Sequence, residues 1–285
     1  MKKVLVIGIK GMAGHLIFNR LPQLGHYDVY GVARNITTND KVFNLDVSDT
    51  KELDDIIQNQ NFDVIVNCIG ILNKDAEDNP DKAIWFNSYF PHHLEKVAKN
   101  TNTKIIHIST DCVFSGKKGS YTEEDFRDGI GFYAQSKALG EIVNDKDVTL
   151  RTSIIGPEIN KNGIGLFHWF MSQDKSQILK GFTQAYWSGI TTLELCNAVD
   201  WAIKNKVTGI KEIATKKIDK FSLLLLFNEV FRANEMNIQA DDYYKVDKSL
   251  ISNRNDFVYV VPDYKQMLLN LKEWILSNNY DYSIK

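Results

Sequence analysis

Scarcities narrow this chain first. It has 3 cysteines, Cys68, Cys112 and Cys196, spread along 285 residues. Their odd number and wide spacing fit neither a disulfide framework nor a zinc pattern, so a reducing, cytoplasmic home is expected. Prolines number 5 and supply no proline-rich linker; no repeat and no low-complexity stretch interrupts the chain. Charge of one sign is missing as well. The 34 Lys+Arg set against 36 Asp+Glu leave a net charge of -2, which excludes a basic nucleic-acid module and an acidic tail. No apolar run exceeds the stretch Leu223–Phe227, far below the roughly 20 residues a bilayer span needs, so no membrane insertion is expected. The opening Val4-Leu5-Val6-Ile7 after Lys2 and Lys3 begins like a signal peptide, but Gly8, Lys10, Gly11 and Gly14 break it, and none is expected. What the chain does have is 44% hydrophobic residues, enough for a sizeable core and too many for a disordered chain.

The first half alternates short β-branched runs with longer helical patterns. The runs are Lys3–Ile7, Asp28–Ala33, Lys41–Leu45, Val64–Cys68, Lys104–Ser109 and Val148–Ser153. Helical spacing covers Ala13–Leu24, Lys51–Asn59, Pro80–Asn100 and Ile130–Asn144. Continuous apolar strands alternating with helices predict a doubly wound parallel sheet of α/β class. After about residue 155 the pattern loosens, with helices expected at Leu166–Gln173, Leu193–Asn205, Phe221–Ala233 and Tyr264–Asn278. Short strands are expected near Ile178–Lys180 and Gly209–Ala214. The reading is residues 1–157 for dinucleotide binding and 158–285 for a smaller substrate lobe, part of which can recross into the sheet.

The first strand runs into Gly8-Ile9-Lys10-Gly11-Met12-Ala13-Gly14 and then a helix. Glycines let the backbone approach a pyrophosphate, and a helix N-terminus offers free N–H groups and a favourable dipole. Strand before and helix after make this a dinucleotide loop. The second strand lacks the terminal acid usual for NAD and ends in Arg34-Asn35, a place for a 2′-phosphate, so NADPH is favoured over NADH. Asp46 and Val47 close the third strand, where a carboxylate can accept from the adenine amine, and Cys68-Ile69-Gly70 closes the fourth beside the ribose.

Tyr133 and Lys137 stand one helical turn apart, so phenol and ammonium share a face. A nearby cation favours the phenolate and brings a group of ordinary pKa near 10 toward working range. The strand-end hydroxyl of Thr110, in Ser109-Thr110-Asp111, can hydrogen-bond a substrate carbonyl beside that phenol.

The combined motifs resemble the extended short-chain dehydrogenase/reductases, with a Rossmann-type fold, and more closely the dTDP-4-dehydrorhamnose reductase family. The matching blocks are Gly8-x-x-Gly11-Met12-x-Gly14-His15, Ser109-Thr110-Asp111-x-Val113-Phe114-x-Gly116, Tyr121-x-Glu123-x-Asp125, Tyr133-x-x-Ser136-Lys137-x-x-Gly140-Glu141 and Leu150-Arg151-Thr152-Ser153. The resemblance spans nearly the whole chain and is strongest to about residue 157. It implies reduction of the C4 ketone of a nucleotide-activated 4-keto-6-deoxyhexose in surface-polysaccharide synthesis. A UDP-linked 2-acetamido-2,6-dideoxy sugar is the subtype singled out by analogy. In the implied mechanism Thr110 polarises the carbonyl and Tyr133 protonates its oxygen. Lys137 binds the nicotinamide ribose and lowers the phenol pKa, and Asn87 supports a water relay. The expected partner is a nucleotide-diphosphate sugar, and a homodimer is left open.

Two departures bear on the substrate. Ile154-Ile155-Gly156-Pro157 stands where rhamnose-type members often carry an aromatic residue. Cys112, with His168 beyond Pro157, matches the epimerising acid/base pair of the GDP-fucose synthase branch. An epimerase/reductase acting at C3 or C5 is therefore one alternative, and a non-catalytic dinucleotide-fold regulatory subunit is the other. Blocks around Trp187 and Arg254 resemble the family's substrate lobe. Trp187 would stack on sugar or base and Arg254 would meet the diphosphate, with core packing and a solvated charge as the plainer readings.

Overall fold

The structure is a computed structural model that describes residues 1–253, 258–278 and 282. In chain order the first half runs β1 (Lys2–Ile7), α1 (Met12–Arg20), β2 (Tyr27–Ala33), β3 (Val42–Asn44), α2 (Thr50–Gln60), β4 (Val64–Asn67), α3 (Asn73–Asp78), α4 (Pro80–Ala83), α5 (Phe90–Ala98), β5 (Lys104–Thr110), α6 (Phe132–Leu139) and β6 (Val148–Thr152). The second half runs β7 (Ile154–Ile155), α7 (Leu166–Ser172), β8 (Ile178–Trp187), β9 (Ile190–Thr191), α8 (Thr192–Lys204), β10 (Gly209–Glu212), β11 (Ile218–Asp219), α9 (Lys220–Arg232), β12 (Asn237–Asp247) and α10 (Tyr264–Ser277).

The chain divides into two compact units. The first comprises Met1–Ser109, Ile130–Arg151 and Cys196–Lys211, and the second Thr110–Gly129, Thr152–Leu195 and Glu212–Lys285. At the centre of the first is a seven-stranded parallel sheet in the order β10-β6-β5-β4-β1-β2-β3. The strand order reverses between β1 and β4, the crevice where such sheets bind ligands. The doubly wound expectation is therefore borne out. Leu5, Ile7, Val32, Ile65 and Ile105 of the strands pack with Leu53, Ile57, Phe90 and Leu94 of α2 and α5, all nearly or fully buried. Each such side chain contributes about 1.5–3 kcal/mol relative to exposure. The Asp49 carboxylate accepts from the Glu52 N–H at 3.2 Å and fixes where α2 begins.

The Pro80–Asn100 pattern does not make one helix. Between α4 and α5 the chain widens into a π-helical stretch at Ile84–Tyr89. Pro91 follows, and having no N–H it cannot bond the carbonyl four residues back, that of Asn87. The freed carbonyl side is where α6 ends: a Cβ built at Gly140 would stand 1.8 Å from the Asn87 oxygen. Only glycine permits that approach, and α6 accordingly stops at Leu139 rather than running to Asn144.

In the second unit β8 pairs in parallel with β12 and antiparallel with β11. Phe167 and Phe170 of α7 meet Phe227 of α9 edge-on, with ring centroids 5.5 Å apart in both pairs. Among the described residues no helix is long and apolar enough to cross a membrane.

Candidate functional site

A cavity of about 310 Å³ opens at the carboxyl ends of β1 to β4. The glycine loop forms one wall. Gly8 takes a positive φ of 93°, and a Cβ at Gly14 would stand 2.2 Å from the Gly8 carbonyl oxygen, so loop and helix meet only because both side chains are absent. His15 is buried with Nδ1 2.9 Å from the Gly11 carbonyl, to which it must donate, and it braces the same turn. At α1 no side chain caps the N-terminus, and no acid lies in the first turn.

Gly8, Gly11, Arg34 and Asn35 line the cavity, as do Asp46, Val47, Cys68, Ile69 and Gly70. These are the positions the sequence singles out. Met12 and Ala13 instead begin the helix beside it. The exposed Arg34 guanidinium donates to Asp46 at 3.1 Å; burial works against the Asp46 charge, but Ser48 and Arg34 outweigh it and hold its carboxyl below the usual range. Lys10 also lines the cavity and donates to the Asn35 carbonyl at 3.1 Å, placing a second cation beside Arg34. Sequence reasoning passed over Lys10, although its place inside the glycine loop was the available signal.

The cavity fits a dinucleotide. An uncapped helix end receives anionic oxygens at one side, and two cations stand at the other.

Lys137 is 3% exposed, and burial lowers its amine to about 8 although Glu141 and Cys68 act the other way. It donates to the Ile108 carbonyl at 2.8 Å and lies 3.3 Å from His107 Nε2. Cys68 faces it electrostatically and is pushed up to about 12 by burial, so it remains a thiol. Cys68 lines the cavity, so Lys137 interacts electrostatically with a group of its wall. Tyr133 is half-buried in the first turn of α6. That helix starts on Gly131, which has no capping side chain, and the Glu77 carboxylate of α3 accepts from both Phe132 and Tyr133 N–H groups at 3.1 Å. Nothing in the residues near α6 signals this long-range cap.

Asn87 is fully buried, its amide donates to the Ile71 carbonyl at 2.9 Å and to Ser136 Oγ at 3.0 Å, and its oxygen accepts from Ile71 N–H at 2.8 Å. Its amide thus clamps α6 to the loop after β4. Glu141 is likewise architectural. It makes a fully buried ion pair with Arg151 at 2.8 Å and accepts from the Ser109 hydroxyl at 2.8 Å.

In the second unit Thr110 donates to Asp111 at 3.2 Å while its oxygen accepts from the Cys112 N–H at 3.1 Å. Polarising a carbonyl would require the hydroxyl proton to turn away from Asp111. Burial and the Asp111 charge push the Cys112 thiol up to about 11, with Lys248 and Thr110 opposing. His168 is buried on α7, beneath Gly163, where an added Cβ would stand 2.8 Å from its ring. Trp187 is corrected by the structure. It is 3% exposed, stacked on Tyr264 at 5.6 Å, with the Lys220 ammonium 4.5 Å over its ring, so no open ring face remains for a sugar or base. Lys220 had no signal in the sequence. Its amine is lowered to about 8 by burial, against the pull of Asp111 and Cys112, and it makes no hydrogen bond or ion pair among the described residues. Arg254 lies outside the described residues. Among the described residues no group of His, Cys, Asp and Glu is arranged to hold a metal ion.

A family model described as the RmlD substrate binding domain matches residues 1–174, more than half of the chain. The chain belongs to that family. Three curated relatives of this RmlD-family chain each match about half of it. A probable low-salt glycan biosynthesis reductase of Haloferax volcanii is 31% identical over 53% of this chain and 52% of its own. A dTDP-4-dehydrorhamnose reductase of Aggregatibacter actinomycetemcomitans is 31% identical over 57% and 54%. The mouse methionine adenosyltransferase 2 subunit beta is 29% identical over 49% and 42%. The chain thus spans about half the length of the curated relatives it matches.

Among solved structures, a hypothetical dTDP-4-dehydrorhamnose reductase from Sulfolobus tokodaii is 28% identical, with a TM-score of 0.75, covering 88% of this chain and 92% of that one. The Bacillus anthracis dTDP-4-dehydrorhamnose reductase, in complex with NADP, is 20% identical with a TM-score of 0.79 over 96% and 99%, a likeness of fold. The resemblance drawn from the motifs is borne out at the level of family.

Proposed function

We propose that the protein is an NADPH-dependent reductase of the C4 ketone of a nucleotide-activated 4-keto-6-deoxyhexose. One observation carries the reading: Lys137, one turn from Tyr133 on α6, is buried and interacts electrostatically with Cys68, which lines the cavity. Bound there, the reduced dinucleotide would supply the hydride. Gly8, Gly11 and the open end of α1 would hold its pyrophosphate, and Lys10 and Arg34 would favour a 2′-phosphate. Tyr133 donates its phenolic proton to the oxygen of the reduced carbonyl, and Lys137 sustains that transfer by favouring the phenolate left behind. Thr110 orients the carbonyl once its hydroxyl turns from Asp111.

The names of the two reductase relatives support this chemistry, and a UDP-linked 2-acetamido sugar is the subtype to be tried first. The relative that is a subunit of methionine adenosyltransferase favours a second reading, a non-catalytic dinucleotide-fold subunit. Against it stands the retention of Thr110, Tyr133 and Lys137 together. In the epimerase alternative, Cys112, raised to about 11, would serve as the acid of the pair, with His168 taking the proton.

The test is to incubate purified protein and NADPH with a panel of enzymatically generated 4-keto sugar nucleotides. Oxidation of NADPH with one of them, lost in Tyr133→Phe while NADPH binding survives, is the expected result. No oxidation with any sugar would favour the silent subunit.

A further inference from the structure

The helix that carries Tyr133 has no cap in its own sequence. A helix leaves its first N–H groups without intrahelical partners, and a Ser, Thr, Asp or Asn just before it usually supplies an acceptor. At α6 that position is Gly131, whose φ of 93° and missing side chain leave the first turn open. The Glu77 carboxylate fills the role from α3, 56 positions before Tyr133. Its Oε2 accepts from the Phe132 N–H and its Oε1 from the Tyr133 N–H, each at 3.1 Å. A negative charge at a helix N-terminus is favoured by the dipole as well. Gly131 is what admits the carboxylate, since a Cβ there would stand 2.6 Å from Glu77 Oε1.

Helix α6 is thereby held at two separate places. Its second turn is tied through Ser136, whose Oγ accepts from the Asn87 amide at 3.0 Å and whose carbonyl accepts from the Ser88 hydroxyl at 2.7 Å. The buried Lys137 adjoins that anchor, whereas the half-buried Tyr133 sits at the Glu77 anchor. α3 in turn starts from the cavity wall. Ile71 lines the cavity, the carbonyl of the next residue, Leu72, accepts from the Asp75 N–H at 3.1 Å, and the Asp75 carboxylate is pinned by Lys82 at 2.8 Å and Asn79 at 2.9 Å. The carboxylate thus refers the backbone of Tyr133 to the cofactor wall through a short run of chain.

We propose that Glu77 is a positioning residue for the phenol of Tyr133, governing proton delivery and leaving cofactor binding to other groups. This role rests on the reductase reading of the same site. Without the carboxylate the first turn of α6 loses two hydrogen bonds and frays, while Lys137 keeps the Asn87 and Ser88 anchor. A displacement of about 1 Å at a reacting group can cost about a hundredfold in rate. Glu77 is exposed, so its loss leaves the core intact.

The experiment compares Glu77→Ala and Glu77→Gln with the unaltered protein, using NADPH and the 4-keto sugar nucleotide it reduces. Expected for Glu77→Ala is a kcat lower by about tenfold to a hundredfold, with the Kd for NADPH and the KM for the sugar within about twofold of before. Glu77→Gln retains one acceptor oxygen and should recover part of the loss. A folded alanine variant that keeps its kcat overturns the proposal, as does one whose NADPH affinity falls as far as its kcat, or a glutamine variant no faster than alanine. Hydrogen exchange of the backbone amides supplies a readout that needs no sugar. In Glu77→Ala the Phe132 and Tyr133 amides should exchange about fivefold faster, the measure of a lost cap. The Gly140 amide, which donates to the Ser136 carbonyl at 3.2 Å, should keep its rate. Unchanged exchange at Tyr133 overturns the hold of Glu77 on that residue. Failure of every sugar to oxidise NADPH would sink the reductase reading, while the exchange rates decide the hold on Tyr133 separately.

Discussion

Arg34→Ala tests how the cavity recognises its cofactor. Arg34 stands 60% exposed at the end of β2 and donates to Asp46, itself 40% exposed, at 3.1 Å. An exposed pair of this kind is worth about 0–1 kcal/mol, so removing it should leave folding almost unchanged. A guanidinium that binds a phosphate gains about 1.5–3 kcal/mol from a charge-assisted hydrogen bond. Subtracting the pair given up leaves about 0.5–3 kcal/mol, or roughly a twofold to 150-fold weaker grip on NADPH, since about 1.4 kcal/mol is tenfold. NADH, without the 2′-phosphate, should bind within about twofold of before, a difference below roughly 0.5 kcal/mol. Fluorescence titration with both reduced cofactors measures this directly. Because the site is exposed, the NADPH penalty should shrink as salt is raised and the screening length falls below about 10 Å. Equal losses for both cofactors, or none for NADPH, would refute the role given to Arg34 and leave Lys10 or neither cation as the determinant.

Other outcomes follow from the same geometry. Gly140→Ala forces a methyl group to within 1.8 Å of the Asn87 carbonyl, so α6 must move; overpacking costs about 1–3 kcal/mol, visible as a lower melting temperature together with a lower kcat. Glu141→Gln leaves Arg151 as an uncompensated buried charge and should cost about 3–5 kcal/mol in denaturant unfolding, with Arg151→Met on the same background recovering part of the loss. Lys220→Met should raise the melting temperature at neutral pH. Burial depresses the Lys220 pKa to about 8, so between that value and the unfolded value near 10.4 the unfolded chain binds more protons and the unaltered protein gains stability as pH rises. The advantage of the variant should therefore be largest below about pH 8 and fade toward pH 10.4; an advantage independent of pH would defeat the assignment. Finally, reduction without epimerisation gives product made in deuterated water with no deuterium at C3 or C5; incorporation abolished by Cys112→Ser would instead establish the epimerase alternative.

By itself the sequence determined the parallel sheet and its dinucleotide loop. Continuous β-branched runs form buried strands, alternating helices dictate crossovers, and glycines between a strand and a helix leave little else for Gly8, Gly11 and Gly14 to do. These are signals with short range, written in neighbouring residues. The pairing of Tyr133 with Lys137 was legible for the same reason, since helical geometry alone puts them on one face. Long-range contacts were not legible. That α6 begins on the Glu77 carboxylate and ends against the Asn87 carbonyl depends on residues some 50 positions away, at 3.1 Å and closer. β12 was invisible because Asn237–Asp247 is largely exposed and charged, and it owes its strand form to pairing with β8. The sequence likewise offered Trp187 as a stacking platform and Asn87 as a relay. Only tertiary packing shows that Tyr264 and Lys220 cover the first and that the amide of the second is committed to Ile71 and Ser136. The protonation of Lys137 belongs to the same class. Its depressed pKa comes from burial, which outweighs Glu141 and Cys68, because desolvation is a property of a folded interior and not of a motif.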